Sequence, residues 1–295
     1  MNLIDGKKVS ADIKIELTEK VSNIKQKYGL IPGLVTILVG ESAASQSYVK
    51  MKGKACNEIG MFSVLEKHDS DMSEEKLLEL IKYYNNLDTI HGILVQLPLP
   101  KHIDENKIIE AINPLKDVDG FHPISVGNLV IGKETYYPCT PYGIVELLQR
   151  YNIETKGKHC VVVGRSNIVG KPIANMMLQK KAGANSVVTV CHSAAKDLSV
   201  YTKSADILIA AIGSPNFITE DMVKDGVVII DVGINRVEDT SLPKGYKIVG
   251  DVEFESVSKK ASYITPVPGG VGPMTIAMLM KNTLTAFSRI NKINE

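Results

Sequence analysis

The sequence predicts an α/β protein in which parallel strands alternate with helices. Three observations carry that expectation. Apolar runs such as Gly33–Val39, 92–96 and His159–Val163 have strand length and lack polar alternation, as strands buried on both faces do. The stretches between such runs carry apolar residues at helical spacing. The alternation occurs twice, on either side of an irregular Gly- and Pro-rich stretch at 116–141.

The elements follow in order. Ile13, Leu17, Val21 and Ile24 give a helix over 10–28, stopped by Gly29. The strand Gly33–Val39 precedes a helix over 45–60 and a short strand over 62–66. Asp71 and Glu74 frame a capping-box-like start for a helix reaching Tyr84. A strand over 92–96 runs into Leu97-Pro98-Leu99-Pro100, and a helix over 104–112 ends before Pro114. The 116–141 stretch holds the turn signal Asp117-Val118-Asp119-Gly120, and a domain boundary is expected near Pro138. A helix over 142–151 opens the second series. Its strands are expected at 159–163, 186–191, 206–211 and 227–232, with a short one at 247–249. A final helix over 275–290 is expected to return to the first domain. The expected division is therefore 1–138 plus 275–295 against 139–274.

Composition narrows the functional classes. The 295 residues suffice for two ordinary domains, and 44% hydrophobic with 23% charged is the balance of a folded soluble protein. A net charge of +1 gives no field that would draw nucleic acid or a membrane surface. No apolar run is long enough for a membrane span, and the first nine residues carry Asp5, Lys7 and Lys8 rather than a signal core. Cys56, Cys139, Cys160 and Cys191 form no C-x-x-C pair and no metal-ligand spacing, so reduced thiols, a cytoplasmic location and no metal are expected.

Chemistry enters at Gly164. A strand runs into Gly164-Arg165-Ser166-Asn167-Ile168-Val169-Gly170, and a helix is expected from about Pro172. Strand, glycine turn and helix N-terminus make an anion site, with backbone N–H groups and the helix dipole aimed at a phosphate. Such a turn marks a Rossmann-like dinucleotide domain, although Ser166 stands where the usual fingerprint has its middle glycine. An NAD site usually places a carboxylate at the end of the next strand, to hold the ribose hydroxyls. Here that strand ends in Cys191-His192-Ser193, and Asp197 lies past its tip. The missing acid, with Arg165 and Ser166 at hand, favours a 2′-phosphate and hence NADP over NAD. The strand ends Ala211–Pro215 and Asp231–Asn235 carry small residues that would admit a cofactor or simply make tight turns.

The first half is less telling residue by residue. Tyr48 and Lys52 stand four apart on one helix face, a phenol beside an amine. Taken alone, Lys50, Lys52 and Lys54 read as a solvated basic face. Gln96 ends a strand, and Asp117 and Asp119 suit an Asx cap. The run from Thr265 to Thr275 is a glycine-dense loop before a helix.

Together these segments resemble the bacterial bifunctional methylenetetrahydrofolate dehydrogenase/methenyltetrahydrofolate cyclohydrolase family. The resemblance rests on Tyr48-Val49-x-x-Lys52-x-Lys54-Ala55, Gly92-Ile93-Leu94-Val95-Gln96-Leu97-Pro98-Leu99-Pro100 and Lys116-Asp117-Val118-Asp119-Gly120. It continues through Gly164-Arg165-Ser166-x-x-Val169-Gly170 and Thr265-Pro266-x-Pro268-Gly269-Gly270-Val271-Gly272-Pro273-Met274-Thr275, in family order over nearly the whole chain. Ala195 departs from it, standing where the family usually has Thr beside the cofactor ribose. The resemblance implies oxidation of 5,10-methylenetetrahydrofolate with NADP+ and hydrolysis of the methenyl product to 10-formyltetrahydrofolate. It implies Lys52 as the central catalytic residue, held by Gln96, with burial or the cationic substrate lowering its pKa from about 10.4. Tyr48 would pack on the folate, Asp119 would grip the pterin N–H groups, and Pro268 and Gly269 would line the folate pocket. Gly164, Arg165, Ser166, Ser193, Ile234 and Thr140 would bind the cofactor. A homodimer is implied as well. A second reading, resting on Lys52 and Asp119 alone, is a similar dehydrogenase for another small acid, such as a shikimate-like substrate.

Overall fold

The structure is a computed structural model that describes residues 1–243 and 245–293. In chain order the elements begin with β1 (Asn2–Leu3), α1 (Gly6–Tyr28), β2 (Gly33–Val39), α2 (Ala43–Glu58), β3 (Phe62–His68) and α3 (Glu74–Asn85). They continue with β4 (Gly92–Val95), α4 (Glu105–Ala111), α5 (Pro123–Val130), α6 (Cys139–Arg150), β5 (His159–Val163), α7 (Gly170–Leu178) and β6 (Val187–Cys191). The last are α8 (Ser199–Thr202), β7 (Ile207–Ala210), β8 (Val228–Asp231), β9 (Asn235–Glu238), β10 (Tyr246–Val249), α9 (Phe254–Val257), β11 (Tyr263–Ile264) and α10 (Val271–Asn291).

The chain forms two compact units. One comprises 11–139 with 276–295, the other 1–10 with 140–275. The first ten residues, expected in the first domain, thus group with the second unit. The cause is β1, which pairs parallel with β11 through Asn2↔Tyr263 and Leu3↔Ile264. Residues 294–295 of the expected division lie outside the described residues.

The first unit holds a three-stranded parallel sheet in the order β3-β2-β4. Every residue of β2 is buried, as its uninterrupted apolar run requires. Val35, Ile37, Ile93 and Val95 pack with Leu77 and Ile81 of α3 and Ile108 of α4. Helix α3 is capped by Ser73, whose hydroxyl accepts from Lys76 N, rather than by the expected Asp71–Glu74 frame.

The 116–141 stretch is more ordered than expected. A parallel bridge, Ile93↔Asp117, lays it beside β4, and α5 forms within it. Asp117 organises that turn. Its Oδ2 accepts from His122 N (2.9 Å) and Ser125 Oγ (2.6 Å), and its Oδ1 from Phe121 N (3.3 Å). The Pro123 start and His122 cap of α5 are signals that the Gly/Pro density of the stretch conceals. Helix α6 likewise begins three residues early, at Cys139, which places Thr140 in its first turn.

Burial pushes the Asp117 carboxyl up to about 6, outweighing the hydrogen bonds that favour its charged form. A carboxyl raised on folding adds stability below its unfolded pKa of about 4. That stability is lost as pH rises through about 6. Asp117→Asn removes the titration. Between pH 7 and pH 4 the parent chain should therefore gain on the order of 3 kcal/mol relative to the variant. Urea unfolding at the two pH values measures it, and an identical pH dependence in both proteins would contradict it.

The second unit holds a six-stranded parallel sheet in the order β1-β11-β8-β7-β5-β6. Val161, Val163, Leu208, Ala210, Ile229 and Ile264 build one side of its core. The strand expected at 247–249 does not extend this sheet. It is β10, paired antiparallel with β9 in a separate hairpin whose residues alternate between half-buried and exposed along β9. Among the described residues no helix is long and apolar enough to cross a membrane.

Candidate active site

Each parallel sheet has a point where strand order reverses. In the first unit β2 is flanked by β3 on one side and β4 on the other. Ligands of open parallel sheets sit beyond the carboxyl ends of the strands at such a point. Gln96 is the first residue past β4. Its N–H donates to Ile37 O (2.8 Å) and its Nε2 to Leu97 O (2.8 Å), which turns Oε1 toward Lys52 Nζ at 2.9 Å. The Leu97–Pro98 peptide that follows is cis.

Lys52 comes from α2 and is 7% exposed. Lys50 and Lys54 are exposed, and Lys54 pairs with Glu58 at 3.7 Å. The expected solvated face is therefore real for the outer two lysines and wrong for the middle one. A step of two residues turns a helix by about 200°, so Lys52 points away from both. Tyr48, one turn earlier on the Lys52 face, is half-buried, and burial pushes its phenol up. Asp119 is half-buried by exposure. Burial pushes its carboxyl up, while the Lys52 charge and the Cys139 thiol pull it down. Lys52, Gln96 and Asp119 thus form one cluster, with Tyr48 beside it on α2.

In the second unit strand order reverses between β5 and β7. Gly164 leaves β5 there with φ +129°, and a Cβ on it would lie 2.1 Å from Ala211 O. A Cβ on Gly170 would lie 2.3 Å from Gly164 O. The turn is thus packed on the end of β7 and on itself. Helix α7 begins at Gly170 rather than near Pro172. Ser166 Oγ accepts from Val169 N and Gly170 N, both at 3.2 Å, and Ser166 O from Lys171 N at 3.0 Å. The expectation of free N–H groups at this helix start is corrected at those three positions, because the tight turn folds Ser166 back as their acceptor. The Ser166 O–H remains to donate. Arg165 and Ser166 are exposed. The register Val163↔Cys191 brings exposed Ser193 to the same sheet edge. Asp197 is occupied with Ser199, accepting from its N (2.8 Å) and Oγ (2.6 Å).

Two carboxylates shape the neighbouring strand ends, Asp231 of the expected strand end and Asp251, which the sequence does not single out. Asp251 Oδ2 accepts from Ile212 N (2.6 Å) and Gly213 N (2.9 Å). Its Oδ1 accepts from Ser214 N (3.1 Å) and Asn235 Nδ2 (2.9 Å). Asp231 Oδ1 accepts from Gly233 N and Asp251 N, both at 2.9 Å, and its Oδ2 from Val252 N at 3.0 Å. A Cβ on Gly233 would sit 2.2 Å from Asp251 Oδ1, and one on Gly250 1.8 Å from Asp231 Oδ2. The paired signal was present in the sequence, as Asp231-Val232-Gly233 and Gly250-Asp251-Val252. Burial pushes the Asp231 carboxyl up to about 6. The loop ends are therefore built around buried acceptors, which is more than tight turns require. Ile234, between them, is 53% exposed.

The glycine-dense loop is fixed as well. Gly269 O accepts from Lys7 N (3.0 Å), and Gly270 N donates to Pro266 O (2.8 Å). Pro268 is exposed and follows a cis peptide, and Gly269 has φ +114°. Thr140 Oγ1 lies 3.0 Å from Thr275 Oγ1, tying α6 to α10. Among the described residues no three His, Cys, Asp or Glu side chains gather as a metal site.

Two family models match the chain. Residues 4–119 match the tetrahydrofolate dehydrogenase/cyclohydrolase catalytic domain, and residues 138–291 match its NAD(P)-binding domain. The chain is 62% identical over 293 residues to the bifunctional protein FolD of Chlorobium chlorochromatii (strain CaD3), covering 99% of each. It is similar in structure to the FolD methylenetetrahydrofolate dehydrogenase/cyclohydrolase of Campylobacter jejuni. The TM-score there is 0.92 at 53% identity, over 98% of this chain and 99% of that one. It is also similar to the Trypanosoma brucei N5,N10-methylenetetrahydrofolate dehydrogenase-cyclohydrolase, solved with NADP cofactor and an inhibitor. That match has a TM-score of 0.93 at 40% identity, over 98% of each chain.

Proposed function

The chain belongs to the tetrahydrofolate dehydrogenase/cyclohydrolase family, and from that premise we propose how its residues divide the work. The enzyme is bifunctional. It oxidises 5,10-methylenetetrahydrofolate to the 5,10-methenyl cation and hydrolyses that cation to 10-formyltetrahydrofolate. The observation that carries the assignment of residues is the buried lysine Lys52, held by Gln96 at 2.9 Å at the carboxyl end of a parallel sheet.

In the hydrolytic half, Lys52 takes the proton released as water adds to the cationic carbon. The hydroxyl proton then moves to the ring nitrogen as the carbon–nitrogen bond breaks. Gln96 fixes where Lys52 can reach. Asp119 offers a carboxylate to the pterin's N–H edge, a pairing of charged acceptor and neighbouring donors. Tyr48 packs on the folate ring. Pro268 and Gly269 are assigned to the folate by motif position alone.

The dinucleotide residues fit NADP. The absence of a side chain at Gly164 lets the turn close on the end of β7, and the first acid after β6, Asp197, is committed to Ser199. Arg165, Ser166 and Ser193 would hold the 2′-phosphate, Ile234 the nicotinamide side by its backbone, and Thr140 would contribute from the first turn of α6. When bound, the dinucleotide supplies the hydride acceptor. This chain's part in that step is to hold and orient. A cytoplasmic homodimer follows from the resemblance, and sedimentation equilibrium tests the dimer.

Incubation with methylenetetrahydrofolate and NADP+ should raise the absorbance of NADPH, and a separate assay should show methenyltetrahydrofolate consumed. Folded protein with neither activity would refute the reading. Arg165→Ala should raise the KM for NADP+ about ten- to a hundredfold, the worth of a charged hydrogen bond, while leaving NAD+ kinetics in place. Equal losses with both cofactors would remove Arg165 from the 2′-phosphate site.

A further inference from the structure

Asp119 is flanked on both sides by backbone whose position other elements fix. Asn282, on α10, is 3% exposed. Its Nδ2 donates to Val118 O at 2.8 Å and to Tyr137 O at 2.9 Å, which uses both of its N–H groups. Cys139 Sγ stands 3.8 Å from the same nitrogen and 3.5 Å from Val118 O, so its single S–H is shared between that carbonyl and the Asp119 carboxylate it also faces. The Val118 carbonyl belongs to the peptide that enters Asp119, so clamping it sets the plane from which Asp119 departs. On the other side Gly120 has φ +74°. A Cβ there would lie 2.7 Å from Pro138 N and 2.8 Å from Tyr137 C. Both neighbours of Asp119 are thus pinned to the 136–139 segment.

We propose that Asn282 is a positioning residue for Asp119, with Cys139 as its accessory, a proposal that rests on Asp119 gripping the pterin. Nothing in the motif around Asp119 points to a residue 163 positions away. Satisfying two buried carbonyls would by itself explain an amide at 282, and it predicts a loss of stability only. Positioning predicts more, because a carboxylate displaced by a fraction of an ångström no longer meets its donors.

A double-mutant cycle separates the two, using the full chain with Asn282→Ala and Asp119→Asn, alone and together. Folate KM and kcat are measured in both assays, with NADP+ affinity and Tm alongside. Asn282→Ala should lower folate kcat/KM about tenfold when Asp119 is present and less than twofold in Asp119→Asn, with NADP+ affinity unchanged. Cys139→Ser, which keeps a donor, should stay within threefold of the parent. Should Asn282→Ala fold poorly, Asn282→Ser carries the same comparison with one donor retained. Equal losses in both backgrounds, or a fall in Tm without a kinetic change, overturn the proposal alone. Unchanged folate kinetics in Asp119→Asn overturn it together with the reading of Asp119.

Discussion

Lys52→Met is expected to reduce cyclohydrolase turnover by about 10²- to 10⁴-fold, the usual worth of a positioned proton-transfer group. Methionine nearly matches the lysine in length and fills the same buried space, so the chain should still fold. The substitution leaves the half-buried Gln96 Oε1 without its donor, which costs about 1 kcal/mol. A modest fall in Tm should therefore accompany the kinetic loss. NADP+ affinity should stay at the parent value, because Arg165, Ser166 and Ser193 belong to the other unit. Lys54→Met is the control. Lys54 is exposed and pairs only loosely with Glu58, so its loss should change turnover less than twofold. Turnover of folded Lys52→Met within tenfold of the parent would end the assignment.

Gly164→Ala is expected to abolish NADP+ binding and to lower Tm by several degrees or more. The added methyl would meet a backbone carbonyl at 2.1 Å, so no side chain can rotate out of its way. The φ of +129° is open to glycine and strained for alanine. Either the turn, which carries Arg165 and Ser166, or the end of β7 packed against it must move. Gly213→Ala sets the scale. It also has positive φ, +75°, but nothing lies within 4 Å of its Cβ, so the cost is strain alone, about 1 kcal/mol. Calorimetric titration with NADP+ and thermal melts of both variants make the comparison. Parent-like NADP+ affinity in Gly164→Ala would show that the turn does not bind as proposed.

These expectations differ in how visible their basis was. The strand at Val161–Val163 and the glycine after it are local signals, written in a few consecutive residues. The burial of Lys52 was half visible, since two-residue spacing on a helix already separates it from Lys50 and Lys54. Helix α5 was obscured because its cap is His122 and its organiser is Asp117, five residues upstream of the cap. Asp231 was visible only as the first residue of a strand end and Asp251 not at all, and the meeting of the two segments reveals seven bonds from backbone or side-chain donors. That Ser166 folds back to accept from Val169 N and Gly170 N ahead of α7 is a matter of turn geometry, which the spacing of a motif does not contain.

By itself, the sequence determined the alternation of buried strands and helices, the glycine turn at 164, and the set of motifs that names the family. All of these follow from backbone conformational preference and hydrophobic periodicity, which act over one turn or one strand. The tertiary structure alone decided that Asn2–Leu3 completes the second sheet, that Asn282 clamps the backbone before Asp119, and that Asp251 holds the loop after β7. A buried polar group must find a partner wherever the packed elements bring one, and its sequence distance is then set by topology rather than by local spacing.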